Sequence, residues 1–136
     1  MTETTVSATM TGTTVGATGA TGATTTRTPE LPQVTDADFA TAVLGADRPV
    51  LVEFMADWCG PCRQLLPVLH ALDSASEGRF TVVRIDADRN PGAVARYGVL
   101  SLPALFVFDR GEPVHSQVGA RPLARLRRDL EHVLPL

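Results

Sequence analysis

A nearly unbroken apolar run leads directly into a pair of closely spaced cysteines. Residues 50–56 are apolar except for Glu53, and Cys59-Gly60-Pro61-Cys62 follows after two further residues. Such a run is typical of a central parallel strand that is covered on both faces. Pro61 suits the first turn of a helix, and apolar residues at helical spacing follow it. A buried strand that runs into a helix indicates an α/β fold with the cysteines at the junction.

Strand and helix patterns alternate along the rest of the chain after Pro29. Thr35-Asp36 is a suitable N-cap for a helix that carries Phe39, Ala42 and Val43 on one face and ends at Gly45. The next predicted elements are a strand at Gln33-Val34, a helix behind the cysteines that kinks at Pro67, a strand at 80–85 and a helix at 91–96. A hairpin of 104–108 and 113–118 follows. The last predicted helix carries Leu123, Leu126, Leu130 and Val133 in one apolar stripe. The sequence therefore predicts one α/β domain over residues 29–136.

Residues 1–28 differ in composition from the rest of the chain. They are mostly Thr, Gly and Ala, with almost no large apolar side chains. Burial cannot offset the entropy of ordering such a segment, so we predict a disordered tail. Met10 leaves a later start of the protein open. A transit peptide is a further alternative, although Arg27 is the only basic residue here and no amphipathic pattern is present.

Charge and cysteine usage narrow the class of protein. A formal net charge of -3 argues against a nucleic-acid-binding protein, which normally shows a basic excess on one face. No apolar stretch approaches the roughly 20 residues of a membrane span, and the first residues lack the basic and apolar parts of a secretory signal. Two cysteines this close do not resemble the disulfide framework of a secreted protein. We therefore expect a cytoplasmic monomer whose partners are proteins.

The spacing of Cys59 and Cys62 suits reversible disulfide chemistry. At the start of a helix, positions i and i+3 share one face and lie within disulfide reach. The free amides and the positive dipole end of the helix are expected to lower the pKa of Cys59 below about 8.5. Cys59 is then the nucleophile that forms a mixed disulfide, and Cys62 is the resolving thiol that releases the reduced product. This exchange needs no bound cofactor.

Three other interpretations of the cysteine pair are open at this point: half of a zinc site, a structural disulfide, or two buried thiols. Zinc needs two more ligands at suitable spacing, and the sequence offers only His70, His115 and His132. A static bridge that closes so short a loop would add little stability. We predict no metal site and assign no role to the histidines.

The segment around the cysteines, residues 54–62, resembles the active-site segment of the thioredoxin family. Three further segments follow in the family's order and spacing, at residues 84–88, 101–103 and 118–120. Together they cover about residues 30 to 136. The resemblance implies a thioredoxin fold, a central five-stranded mixed sheet flanked by four helices, with Pro103 in a cis peptide bond.

The same resemblance implies a protein-disulfide reductase that contributes to cell redox homeostasis, with a redox-active Cys59-Cys62 disulfide. Gly60-Pro61 is the reductase-type dipeptide, whereas an oxidase or isomerase of this fold more often carries a His there. Members of the family receive electrons from NADPH through thioredoxin reductase and pass them to target proteins. The implied substrate-docking surface, called the docking surface below, consists of Trp58, Gly60, Pro61, Leu102, Pro103, Gly119 and Ala120.

Three residues depart from the commonest pattern of the family. Glu53 stands where a buried Asp is usual, and the role implied for that acid is to relay the proton of the resolving thiol. Arg84 replaces the usual Lys, and its permanent charge opposes the pKa rise that burial gives Glu53. A partly solvated Glu53 that only pairs with Arg84 is the alternative. Met55 replaces a usual Trp, so we expect looser packing behind the site.

Two functional alternatives also stay open. The apolar surface around Trp58 could grip partner proteins without turnover, as in a binding module or holdase. The basic residues of the last helix could dock an acidic partner such as a reductase, or could form an ordinary solvated face. These residues are Arg121, Arg125, Arg127 and Arg128.

Overall fold

A five-stranded sheet organises residues 30–136, the part of the chain that the computed structural model describes. The predicted tail of residues 1–28 lies outside this range. Leu31–Leu136 form a single packed unit. In chain order its elements are β1 Gln33–Val34, α1 Ala40–Leu44, β2 Val50–Met55, α2 Gly60–Ser76, β3 Thr81–Asp86, α3 Pro91–Tyr97, β4 Ala104–Asp109, β5 Glu112–Val118 and α4 Leu123–Leu130.

The sheet is mixed, with the spatial strand order β1-β3-β2-β4-β5. Strands β1, β3 and β2 run parallel, whereas β4 is antiparallel to both β2 and β5. In this register Glu53 of the central strand lies opposite Arg84 of β3 and Leu105 of β4. The expected five-stranded mixed sheet with four helices is confirmed.

Each face of the sheet packs against two helices, because alternate residues of every strand point to opposite faces. On one face Leu51 belongs to the same core cluster as Leu69 of α2 and Leu126 of α4. On the other face Phe54 shares a cluster with Val43 of α1 and Ala93 of α3. Glu53 and Met55 alternate with Phe54 and therefore belong to the α2 face.

The first helix is shorter than the sequence pattern predicts. Only residues 40–44 are helical, as a single π-type turn, and Ala42 is exposed rather than on the buried face. Asp36 does cap a helix, but not the first helix, as was predicted. Its carboxylate accepts hydrogen bonds from the backbone amides of Gly92 and Ala93, each at 2.8 Å. Asp36 therefore caps the N-terminus of α3, a long-range contact that local sequence rules do not detect.

Helix α2 is the longest helix among the described residues, with 17 residues. Pro67 lies on its exposed side and does not end it, whereas Leu65, Leu69 and Leu72 are fully buried. No helix within residues 30–136 is long and apolar enough to cross a membrane.

Candidate active site

The two cysteines lie where β2 ends and α2 begins, and they form a disulfide with 5.3 Å between their Cα atoms. Cys59 is the N-cap residue of α2, with extended backbone geometry. Its Sγ accepts a hydrogen bond of 3.2 Å from the backbone amide of Cys62. The sulfur of Cys59 thus occupies the position where a helix N-terminus favours negative charge.

A small apolar cluster surrounds the disulfide. Met55 and Ala56, at the end of β2, are buried together with both cysteines, and Leu102 packs against this group from the loop before β4. Cys62 has no exposed surface and Cys59 has 3%. Both cysteines are buried, and Cys59 is the slightly more accessible of the two.

Three segments of the expected docking surface meet around the disulfide. Trp58, Gly60 and Pro61 belong to the α2 junction, and Leu102 packs against the cysteine cluster. The peptide bond between Leu102 and Pro103 is cis, as expected. The carbonyl of Pro103 accepts a hydrogen bond of 2.9 Å from the amide of Gly119, which brings the third segment alongside the second.

The members of this surface differ in exposure. Trp58 is 68% exposed, and Pro61 and Ala120 are also exposed. Gly60, Leu102 and Gly119 are half-buried, and Pro103 is buried. Of the seven residues, all but Pro103 therefore have accessible area.

Glu53 is fully buried and pairs with Arg84. Arg84 Nε donates a hydrogen bond of 2.9 Å to Glu53 Oε1, while Glu53 Oε2 is buried without a hydrogen-bond partner among the described residues. Burial raises the pKa of Glu53 above its ordinary value of 4.5, although the hydrogen bond and the charge of Arg84 act to lower it. Of the alternative considered for Glu53, the pairing with Arg84 is observed, whereas the partial solvation is wrong, because the Glu53 side chain has 0% exposure.

Strand geometry places Glu53 near the disulfide. Glu53 and Met55 lie on the same face of β2, two residues and therefore about 6.6 Å apart along the strand. Met55 belongs to the cluster that contains both cysteines. The carboxyl of Glu53 thus lies two residues along β2 from a residue that packs against both cysteines.

Two residues that support the site were not identified from the sequence. Asp88 Oδ2 accepts a hydrogen bond of 2.8 Å from Trp58 Nε1, which orients the exposed indole of the residue before Cys59. Arg63 Nη1 donates one of 2.7 Å to the carbonyl oxygen of Asp57, which ties the loop before Cys59 to α2. Asp88 lies in one of the recognised segments, but its distance of 30 positions from Trp58 gave no local signal.

The histidines and the basic residues near the last helix are not part of this site. Within residues 30–136 no group of three or more His, Cys, Asp or Glu residues is arranged to hold a metal ion. His115 and His132 contact each other edge to face, with ring centroids 5.0 Å apart. Arg121 precedes α4 and is therefore not on the helix, contrary to the prediction. Arg121 and Arg125 both pair with Asp129, at 3.5 and 3.7 Å, so part of the basic charge near α4 is neutralised.

A family model described as Thioredoxin matches residues 30–132. The chain is 45% identical over 103 residues to a thioredoxin of Mycobacterium bovis, covering 76% of this chain and 89% of that protein. It is 44% identical over 99 residues to thioredoxin 1 of a Nostoc species, covering 73% and 92%. A bifunctional thioredoxin reductase/thioredoxin of Mycobacterium leprae is 44% identical over 103 residues, which cover 76% of this chain but only 22% of that longer protein.

Proposed function

The chain belongs to the thioredoxin family and is a protein-disulfide reductase, and we propose that Cys59 is its nucleophile and Cys62 its resolving thiol. The observation that supports this assignment best is the Cys59 sulfur at the N-cap of α2, where it accepts the amide of Cys62. The helix N-terminus stabilises a thiolate at Cys59 in the reduced protein. This thiolate attacks one sulfur of the substrate disulfide and displaces the other as a thiolate. Cys62 then attacks Cys59, releases the second substrate thiolate and completes a two-electron transfer.

Glu53 accepts the proton of Cys62 in the second step, in this proposal through a water molecule. Its full burial, unpartnered oxygen and raised pKa support this role, because a proton acceptor works best with a pKa near the working pH. Arg84 holds the carboxyl by its first oxygen and leaves the second free. Arg84 is therefore a positioning residue.

The docking surface receives the substrate segment that contains the disulfide. Its apolar character around Trp58 and Leu102 suits an extended peptide of a partly opened target protein. The grouping of its three segments around the disulfide supports this use. Residues 29–136 carry the activity in this proposal, and the family match over residues 30–132 supports that boundary.

Electrons reach the disulfide from NADPH through a thioredoxin reductase, with no cofactor bound to this chain. The bifunctional protein of Mycobacterium leprae, whose name joins the two activities, supports this pairing. A reductase that must return to its dithiol form works in a reducing compartment, so we place the reaction in the cytoplasm.

Insulin reduction with NADPH and a thioredoxin reductase tests three points together: the direction of electron transfer, the source of the electrons and catalytic turnover. We expect NADPH oxidation and insulin precipitation with the parent chain and neither with Cys59→Ser. A double Cys59→Ser, Cys62→Ser variant that binds unfolded proteins as well as the parent, together with a parent that does not turn over, would favour a holdase instead.

A further inference from the structure

Leu100 is an unusually exposed leucine next to the docking surface. Its side chain is 96% exposed, and Val118 on β5 is 55% exposed. Single exposed apolar residues are common, but these two line the same cavity. The cavity has a volume of about 430 Å³, which is enough for an apolar side chain of a bound peptide.

The cavity lies between the C-terminal end of α3 and the edge strand β5. Helix α3 ends at Tyr97, and Ser116 and Val118 of β5 lie opposite Phe106 and Ala104 of β4, on the face that α3 covers only in part. The cavity, called the Leu100 groove below, is lined in part by Tyr97, Leu100, Ala104, Phe106, Ser116 and Val118. None of the described residues that line it is charged, so it suits an apolar group rather than an ion.

The Leu100 groove is continuous with the docking surface at two points. Leu100 is two residues before Leu102, which packs against the cysteine cluster, and Val118 directly precedes Gly119. The hydrogen bond between the Gly119 amide and the Pro103 carbonyl joins these two segments. We therefore expect a peptide whose disulfide lies over Cys59 to reach the groove within a few residues of its own cysteine.

We propose that the Leu100 groove binds an apolar side chain of the substrate segment, which makes Leu100 a specificity-determining residue for this reductase. The inference rests on the proposed docking surface and deepens it by naming a substrate preference. Leu100 and Val118 lose water contact when such a side chain is bound, and a leucine so buried accelerates reduction by about tenfold relative to a serine.

The test uses the pre-reduced full-length chain and disulfide-linked homodimers of a nine-residue peptide. A central cysteine lies in a Ser/Gly background, and a single leucine is moved through the three positions on each side. Second-order rate constants are measured by chromatography, with hydroxyethyl disulfide as a substrate too small to reach the groove. We expect one leucine position to raise the parent's rate about tenfold over the leucine-free peptide.

Leu100→Ser should remove most of that gain and leave the rate with hydroxyethyl disulfide unchanged. Val114→Ser is the matched control, because Val114 is an exposed apolar residue of β5 that does not line this cavity. It should keep the full gain. The substitutions lie at exposed positions, so both variants should fold.

The proposal is overturned if the parent shows no leucine gain, if Leu100→Ser keeps it, or if Leu100→Ser slows hydroxyethyl disulfide equally. It is also overturned if sedimentation shows a dimer of the parent that Leu100→Ser dissociates, because a second copy would then occupy the groove. A parent that reduces hydroxyethyl disulfide without a leucine preference contradicts the groove alone. A parent that reduces no disulfide contradicts the proposed function itself.

Discussion

Arg84 Nε lies 2.9 Å from one carboxylate oxygen of Glu53, and the other oxygen of that carboxyl is buried without a partner among the described residues. The pair is fixed by the sheet, because the two residues are direct neighbours across β2 and β3. Arg84 offsets part of the cost of burying the charge, but burial still raises the pKa of Glu53. The carboxyl is held by one oxygen, and the other oxygen is the one that the proposed proton transfer uses.

Glu53→Gln should slow resolution of the mixed disulfide near pH 7, by on the order of 10-fold to 100-fold, because the amide cannot accept the Cys62 proton. The defect should shrink at high pH, where Cys62 ionises without help. A pH series of single-turnover reduction checks this. Glu53→Asp is the control, because it keeps the carboxyl and should keep most of the rate. Identical rates of parent and Glu53→Gln from about pH 6 to 9 would assign Glu53 a structural role.

Stability should depend on pH through the same residue. Between the ordinary pKa of 4.5 and the raised folded pKa, the unfolded chain loses the Glu53 proton while the folded chain keeps it. The free energy of unfolding therefore falls as pH rises through this window. Urea unfolding of the oxidised parent and of Glu53→Gln should show the parent losing stability relative to the variant. If the free energy of unfolding of the parent minus that of the variant stays constant or rises with pH, the pKa of Glu53 is not raised.

Asp36→Ala should lower the free energy of unfolding by about 1 kcal/mol, because it removes the cap from the N-terminus of α3. Urea unfolding measures the change. Asp47→Ala is a matched control, since Asp47 is exposed and, within residues 30–136, pairs only with its neighbour Arg48 at 3.4 Å. Equal losses in the two variants would mean that the contact between Asp36 and α3 contributes nothing specific.

Reduction of the disulfide should change the fluorescence of Trp58 substantially. Trp58 is the one tryptophan of the chain, is adjacent to Cys59 and is fixed by its hydrogen bond to Asp88. Emission spectra of the oxidised and reduced protein test this, with the double Cys59→Ser, Cys62→Ser variant as a control for the reductant itself. Matching spectra in the two redox states would show that the indole does not sense the bridge.

The sequence predicted best those elements that depend on residues close together in the chain. The apolar run of β2, the helix after Cys59 and the hairpin of β4 and β5 all follow from local patterns, and the resemblance supplied the cis bond before Pro103. Contacts between distant residues were not predictable in this way. Asp36 caps a helix 56 positions away, and α1 has only one turn.

The same limit applies to the candidate site. The sequence identified Glu53 and Arg84 as neighbours, but the sign of the Glu53 pKa shift required its burial to be known, since burial and the arginine act in opposite directions. Asp88 and the Leu100 groove depend on how α3, the loop before β4 and β5 pack together. The sequence alone does not show this tertiary packing.

The order of the two cysteines in the reaction is tested most directly by trapping a single purified substrate, oxidised insulin, on pre-reduced single-cysteine variants. Mixed disulfides are quantified by non-reducing electrophoresis and mass spectrometry. Cys62→Ser should accumulate a covalent insulin adduct on Cys59, because the resolving thiol is missing. Cys59→Ser should accumulate almost none, because Cys62 is fully buried. Equal trapping by the two variants would contradict the assignment of Cys59 as nucleophile and Cys62 as resolving thiol.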